Sequence, residues 1–251
     1  MFTDQGKVIG RGILAVLAAA GIAAGAAQAD AKTFKWAFQG DVQTLDPHGL
    51  FETFTLGFQA NFYEGLVTRT PDLQLQPALA TSWENVEPKV WRFTLRQGVT
   101  FHNGNAFNAD DVIFSVDRIR TEGSDMKVIA NLIEKAVKVD DYTVDLVTPQ
   151  PDPILPLQLE IFFIMDKEWA EEHGTTQATN IKGDDQGNYA NLNANGTGPY
   201  IIKERQPDVR TVLAPNPNWW GDNESNVTEA VFTPIGQDAT RVAALISGDV
   251  D

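Results

Sequence analysis

Val90-Trp91-Arg92-Phe93-Thr94-Leu95-Arg96 leads through His102-Asn103-Gly104-Asn105 to Asn108-Ala109-Asp110-Asp111. In the first stretch Trp91, Phe93 and Leu95 alternate with Arg92, Thr94 and Arg96, the period of two that gives a strand one buried face. The Asn-Gly run marks a turn. Asn108 can then accept a hydrogen bond from the next backbone N–H groups, and acids in a first turn complement the helix dipole. A helix is predicted from Ala109 to Ile119, after the strand and turn.

Working outward, Phe34, Trp36 and Phe38 alternate with Thr33, Lys35 and Ala37, so a second strand precedes. Phe54, Phe58 and Phe62, with Leu56 beside them, predict a helix over residues 52–62 that stops near Gly65. Downstream, Met126, Ile129, Ile133 and Val137 are spaced for a further helix. Val137-Lys138-Val139, Asp140-Asp141 and Tyr142, Val144, Leu146 read as a hairpin. Pro149, Pro151, Pro153 and Pro156 allow only short helix in their stretch, and Lys167 to His173 is a short amphipathic piece.

Residues 175–198 are rich in Asn, Asp, Gln and Gly and are predicted to form a long surface loop. Strands are expected at Tyr200-Ile201-Ile202, Arg210 to Leu213 and Ala230 to Ile235. A helix from Asp238 to Ser247 should bury Val242, Leu245 and Ile246 and stop at Gly248. Asp249-Val250-Asp251 begins a strand too short to pair by itself, so the chain is expected to stop at a crossover.

Composition removes several functions. With 34 acidic against 19 basic side chains the net charge is −15, which repels phosphate backbones and anionic lipids. Neither nucleic acid nor a membrane surface is an expected partner. The absence of Cys excludes disulfides, thiolate metal sites, Cys nucleophiles and a lipid-modified Cys. Lys7 and Arg11, the uncharged run Ile13 to Ala27 and the small-x-small Ala27-Gln28-Ala29 form a cleavable secretory signal over residues 1–29. Fifteen residues at about 1.5 Å each fall short of a hydrocarbon core of about 30 Å.

Motifs of catalysis are missing. There is no G-x-S-x-G elbow, phosphate loop, G-x-G-x-x-G or H-E-x-x-H, so an enzyme is not expected. His48, His102 and His173 are widely spaced and read as turn or surface residues, with no metal site. The pairs Asp110-Asp111, Asp140-Asp141, Glu171-Glu172 and Asp184-Asp185 read as a helix start, a turn, a helix flank and a loop. Asp184 to Asn188 lacks the spaced acids of a calcium loop. Trp36, Trp83, Trp91 and Trp169 fit a core, whereas Trp219-Trp220, between Pro215-Asn216-Pro217-Asn218 and Gly221, cannot both point into one, and one of them is expected to cap a cleft.

In order along the chain, several segments resemble the family 5 extracellular solute-binding proteins, the oligopeptide, dipeptide and nickel receptors of ABC importers. They are Thr44-Leu45-Asp46-Pro47-His48, Tyr63-Glu64-Gly65-Leu66, Pro77-Ala78-Leu79-Ala80-Thr81-Ser82-Trp83 and Trp91 to Arg96. Phe101-His102-Asn103-Gly104, Ala109 to Ser115, Gly196-Thr197-Gly198-Pro199-Tyr200, Asn216 to Trp220 and Ser247 to Asp251 continue the series. Asn103, Ala106 and Asn108 stand where Asp, Pro and Thr are usual.

The resemblance implies a periplasmic-binding-protein-like class II α/β fold: a mixed-sheet lobe carrying a small inserted α+β domain. Residues 30–52 with 161–251 would form the first lobe and 53–160 the insertion, the second lobe being absent from this chain. It further implies a monomeric periplasmic receptor without cofactor, delivering a small solute, a short peptide foremost, to an ABC permease of the inner membrane. Nickel or a nickel chelate is the alternative cargo, with His48 and His102 as its only hints, and a secreted hydrolase the alternative of another class. A chaperone or sensor partner on the same fold is a third. Ligands of α/β sheets sit beyond the carboxyl ends of strands, where Gly40-Asp41-Val42-Gln43 leaves the first one. Asp41 and Gln43 are therefore expected to contact ligand polar groups, Val42 to offer backbone hydrogen bonds, and Trp219 or Trp220 to form an aromatic wall.

Overall fold

The computed structural model describes residues 32–183, 188–222 and 225–251. The signal expected over residues 1–29 and the acids Asp184-Asp185 lie outside the described residues. Two four-stranded sheets organise the rest.

The first sheet runs β1 (Lys32–Phe38), β10 (Val227–Pro234), β9 (Arg210–Pro215), β8 (Tyr200–Gln206). β1 and β10 are parallel, and β9 is antiparallel to both β10 and β8. α1 (Thr53–Gln59) lies on this sheet, started by the Glu52 carboxylate, which accepts from the N–H groups of Phe54 and Thr55. Its Phe54 stacks on Phe38 with ring centroids 4.1 Å apart, and Phe58 meets Trp36 and Phe232 at 6.1 and 5.3 Å. The phenylalanine stripe thus ties α1 to the first sheet, although residues 53–160 were expected as a separate insertion.

Between the sheets in sequence, β2 (Val67–Arg69) and β3 (Leu75–Pro77) pair as a short hairpin. The second sheet is antiparallel in the order β4 (Ala80–Glu87), β5 (Val90–Leu95), β7 (Thr143–Val147), β6 (Lys135–Asp140). Phe93 and Leu95 are buried, while Arg92 on the opposite face pairs with Asp145 at 2.7 Å. α2 (Ala109–Arg118) completes this core with Val112 and Val116. Asn108 and Asp111 form a reciprocal capping box at its start, the arrangement expected of that sequence.

Four expectations are corrected. The helix over Met126 to Val137 lasts one turn, α3 (Lys127–Ala130), because Val137 belongs to β6, where pairing with β7 satisfies its backbone. Val242, Leu245 and Ile246 of α5 (Asp238–Ser247) are not buried; Ile246 is 82% exposed, since among the described residues no element packs on that face. The described part of residues 175–198 is not a surface loop throughout: Thr175, Thr179, Ala190, Asn195 and Thr197 are buried, and Thr179, Asn195 and Thr197 donate to the Asp46, Asp166 and Glu64 carboxylates. His48, read as a turn or surface residue, lies in a turn but is fully buried. α4 (Lys167–Glu172) forms as expected, its first turn capped by Asp166.

Candidate functional site

β1 ends at Phe38, whose carbonyl accepts from Ile235 N–H just beyond β10. The chain leaving β1 therefore passes beside the start of α5, at the carboxyl end of both parallel strands. Here Val42 buries its side chain in the aromatic cluster around Phe58, Phe62 and Phe232, and Gln43 is exposed.

Asp41 is not open to a ligand. Its Oδ1 accepts from Val42 N–H at 2.8 Å and from Arg205 at 3.2 Å, and its Oδ2 from Arg205 at 3.1 Å and Asp208 N–H at 2.7 Å. Val42 is similarly engaged, its N–H by Asp41 and its carbonyl by Arg205 at 3.0 Å. Of the three segment residues expected to touch ligand, only Gln43 presents its side chain to solvent. Sequence reasoning missed Arg205, which stands in the charged run Lys203-Glu204-Arg205-Gln206 that reads as a solvated strand end.

Trp219 and Trp220 do not join this site. Both indole N–H groups donate to the Glu64 carboxylate, at 3.2 and 2.8 Å, and Thr197 adds a third hydrogen bond at 2.8 Å. The Arg96 guanidinium lies 3.9 Å over the Trp220 ring. The pair lines a cavity of about 350 Å³ with Tyr63, Glu64, Glu160 and Pro199. Pro199 precedes β8, and Arg205 lies five residues beyond Tyr200, so about 17 Å of strand separates the tryptophans from Asp41. Burial raises the Glu64 pKa against the pull of Trp220, Thr197 and Trp219.

A second buried network surrounds Asp46. Arg118 donates to both of its oxygens at 2.6 and 2.7 Å, His48 N–H to Oδ1 at 2.9 Å, and the N–H and hydroxyl of Thr179 to Oδ2 at 2.8 Å. Arg118 also reaches His48 Nδ1 at 3.1 Å, which makes that nitrogen an acceptor and Nε2 the donor to Phe163 carbonyl at 3.0 Å. With both ring nitrogens engaged, His48 offers nothing to nickel; His102 Nε2 lies 3.1 Å from the Gly198 carbonyl oxygen.

Asp111, Asp166 and Glu168 bring oxygens within 4.8 Å of one another. The first two are helix-capping acids. Asp111 accepts from Asn108 and Lys167 N–H, and Asp166 from Trp169 N–H and the amides of Asn103, Asn105 and Asn195.

These groups set opposing pH limbs. Burial, then Arg118, pushes His48 down to about 4. The unfolded chain protonates first, so this stability is lost as pH falls from about 6.5 towards 4. Burial pushes Asp111 up to about 7. Its contribution is full below about 4 and lost as pH rises to about 7. The two slopes oppose each other over the same range. Asp111→Asn is expected to expose the His48 limb, losing about 1–3 kcal/mol between pH 6.5 and 4.5 in urea titrations. An unchanged pH profile would refute this assignment.

The family model described as "Bacterial extracellular solute-binding proteins, family 5 Middle" matches residues 74–251. The chain is 26% identical over 270 residues to the periplasmic oligopeptide-binding protein OppA of Salmonella typhimurium, covering 98% of this chain and 48% of that protein. It is 28% identical over 248 residues to the nickel-binding periplasmic protein of Escherichia coli, covering 96% and 44%. The structure is similar to the ABC transporter-associated periplasmic binding protein DppA of Helicobacter pylori in complex with the peptide STSA. The TM-score is 0.75 at 24% identity, over 87% of this chain and 46% of that one. The chain thus spans about half the length of the curated relatives it matches.

Proposed function

The chain belongs to the bacterial extracellular solute-binding proteins of family 5, and from that premise we propose that it is part of the ligand-capturing receptor of an ABC importer, with a short peptide as cargo. The observation that carries this reading is the carboxyl end of β1, where a hydrogen-bonded segment ends in the exposed Gln43 beside the start of α5. A second lobe closing over that end would remove the ligand from water, and closure gains only the difference in affinity between open and closed forms.

The first lobe is taken as the β1-β10-β9-β8 sheet with α1, and the insertion as the segment from about Gly65 to about Phe162, a boundary moved by the packing of α1. The apolar face of α5 and the outer edge of β1 are where the rest of a two-lobed receptor would pack. That edge bonds only to Asp251 among the described residues: Asp251 N–H donates to Lys35 carbonyl, and Lys35 N–H to the Asp251 carboxylate. No described helix is long and apolar enough to cross a membrane, and a periplasmic location after signal cleavage accords with that. Catalysis is not part of the proposed role, and the receptor is taken as a monomer that hands its cargo to a permease.

Calorimetric titration of the chain with trialanine and with Ni²⁺ tests the reading. Trialanine is expected to bind more weakly than about micromolar, because one lobe supplies neither enclosure nor the opposing contacts. Micromolar or tighter binding would overturn the two-lobed account, and preference for Ni²⁺ would change the cargo. Turnover of chromogenic esters, peptides or glycosides would replace the receptor by a hydrolase.

A further inference from the structure

The strongest unassigned constellation is the one that closes off Asp41. Arg205 extends from β8 beneath the segment leaving β1, and its guanidinium bonds to that segment and to β9. Its two terminal nitrogens grip both Asp41 oxygens, at 3.2 and 3.1 Å. One of them also donates to Val42 carbonyl at 3.0 Å, and the other to Thr211 hydroxyl at 2.8 Å on the neighbouring strand β9. The two side chains are only 9% and 7% exposed.

The tip of the β8–β9 hairpin joins the same lock. Asp208 sits there with φ of 60°, a left-handed conformation that a residue with a Cβ adopts at a cost. Its N–H donates to Asp41 Oδ2 at 2.7 Å. A planar fork is what this arrangement needs, since it matches a carboxylate with two parallel bonds and still has hydrogens for a carbonyl and a hydroxyl. A lysine carries the charge but cannot reproduce the geometry.

We propose that Arg205 is the positioning residue of the ligand-facing segment, and that by pairing with Asp41 it leaves that segment electrically neutral, so that ligand is met there by uncharged hydrogen-bonding groups, Gln43 first. This rests on the receptor reading only for the statement that the segment faces ligand. Asp41 is then a structural acid and not the counter-charge of a ligand ammonium. Any charge recognition of the cargo falls to groups other than the 40–43 segment.

Amide hydrogen exchange on the chain without ligand tests the positioning. Arg205→Met is expected to speed exchange at Val42 and Asp208 by at least about tenfold while Phe93 and Val144, in the second sheet, keep their rates. Arg205→Lys should recover only a minor part of that protection. If Arg205→Met does not fold, Asp41→Asn, which keeps size and one acceptor oxygen, should accelerate the same two amides. Unchanged rates at Val42 and Asp208, or acceleration only in step with Phe93 and Val144, would overturn the proposal. Millimolar trialanine should then slow exchange at Gln43 in the parent chain and not in Arg205→Met. Absence of protection in the parent would count against the receptor reading alone, while the ligand-free rates still decide the positioning.

Discussion

Arg118→Leu is expected to lower stability by about 3–5 kcal/mol, enough to unfold a marginal domain at 37 °C. Both partners of the Arg118–Asp46 pair are completely buried. Removing the guanidinium leaves an ionised carboxylate in the interior with only His48 N–H and Thr179 as donors. It also abandons the carbonyls of Thr175 and Gln177, which Arg118 holds at 3.1 and 2.9 Å. Burial alone would raise the Asp46 pKa, but Arg118 and His48 hold it well below the usual carboxylate range, so the acid stays charged at every ordinary pH. The second substitution Asp46→Leu in the Arg118→Leu background should recover part of the loss, because the stranded charge is gone. Urea titration of the parent chain and the two variants measures this. A loss below about 1 kcal/mol in Arg118→Leu would contradict the network.

Gly196→Ala is expected to be at least as damaging, through backbone collision instead of charge. A Cβ at that position would lie 1.9 Å from the Phe62 carbonyl oxygen and 2.7 Å from the Tyr63 ring. No side-chain rotation relieves a clash with backbone. The strand-like run after it is anchored on the same segment, Gly198 N–H donating to Phe62 carbonyl and Tyr200 N–H to Asn61 carbonyl, while Gly196 carbonyl accepts from His102 N–H. Separation of these chains would uncouple Gly196-Thr197-Gly198 from both α1 and the 102–105 turn, at a cost above about 3 kcal/mol. Gly40→Ala is the control: a Cβ there meets nothing within 4 Å, and a change within about 1 kcal/mol is expected. Equal melting temperatures for the two variants would refute the close approach.

Strand and helix type were legible wherever a local period governed burial. Phe93 and Leu95, the Asn108 cap, and the Phe54–Phe58–Phe62 stripe each carry their structure in a few residues. The failures share a physical cause. Ile133 and Val137 match a helix period, yet Val137 pairs with β7 in the hairpin that residues 137–146 also signalled, because strand partners outweigh the helix period there. Thr179 and Asn195 look like loop residues, and they are buried because interior acids far away in sequence, Asp46 and Asp166, need their donors.

The candidate site was legible as a position in the fold and less so as a set of contacts. The exit of β1 and Gln43 could be read from strand direction. That Asp41 is occupied could not, because its partner Arg205 lies 164 residues away in a polar run. The Trp219-Trp220 pair stood out for its size, but its partner Glu64 comes from the turn after α1, and distance along β8 separates the pair from the β1 exit.

The most direct test of the account is a two-dimensional amide and indole NMR titration of the chain with a mixture of di-, tri- and tetrapeptides. Shifts are expected at Gln39, Gly40, Gln43 and the start of α5, with the indole N–H signals of Trp219 and Trp220 unmoved. Shifts confined to those indoles, or no shift at the β1 exit at millimolar peptide, would contradict the assignment of that end of the first sheet as the ligand-binding face.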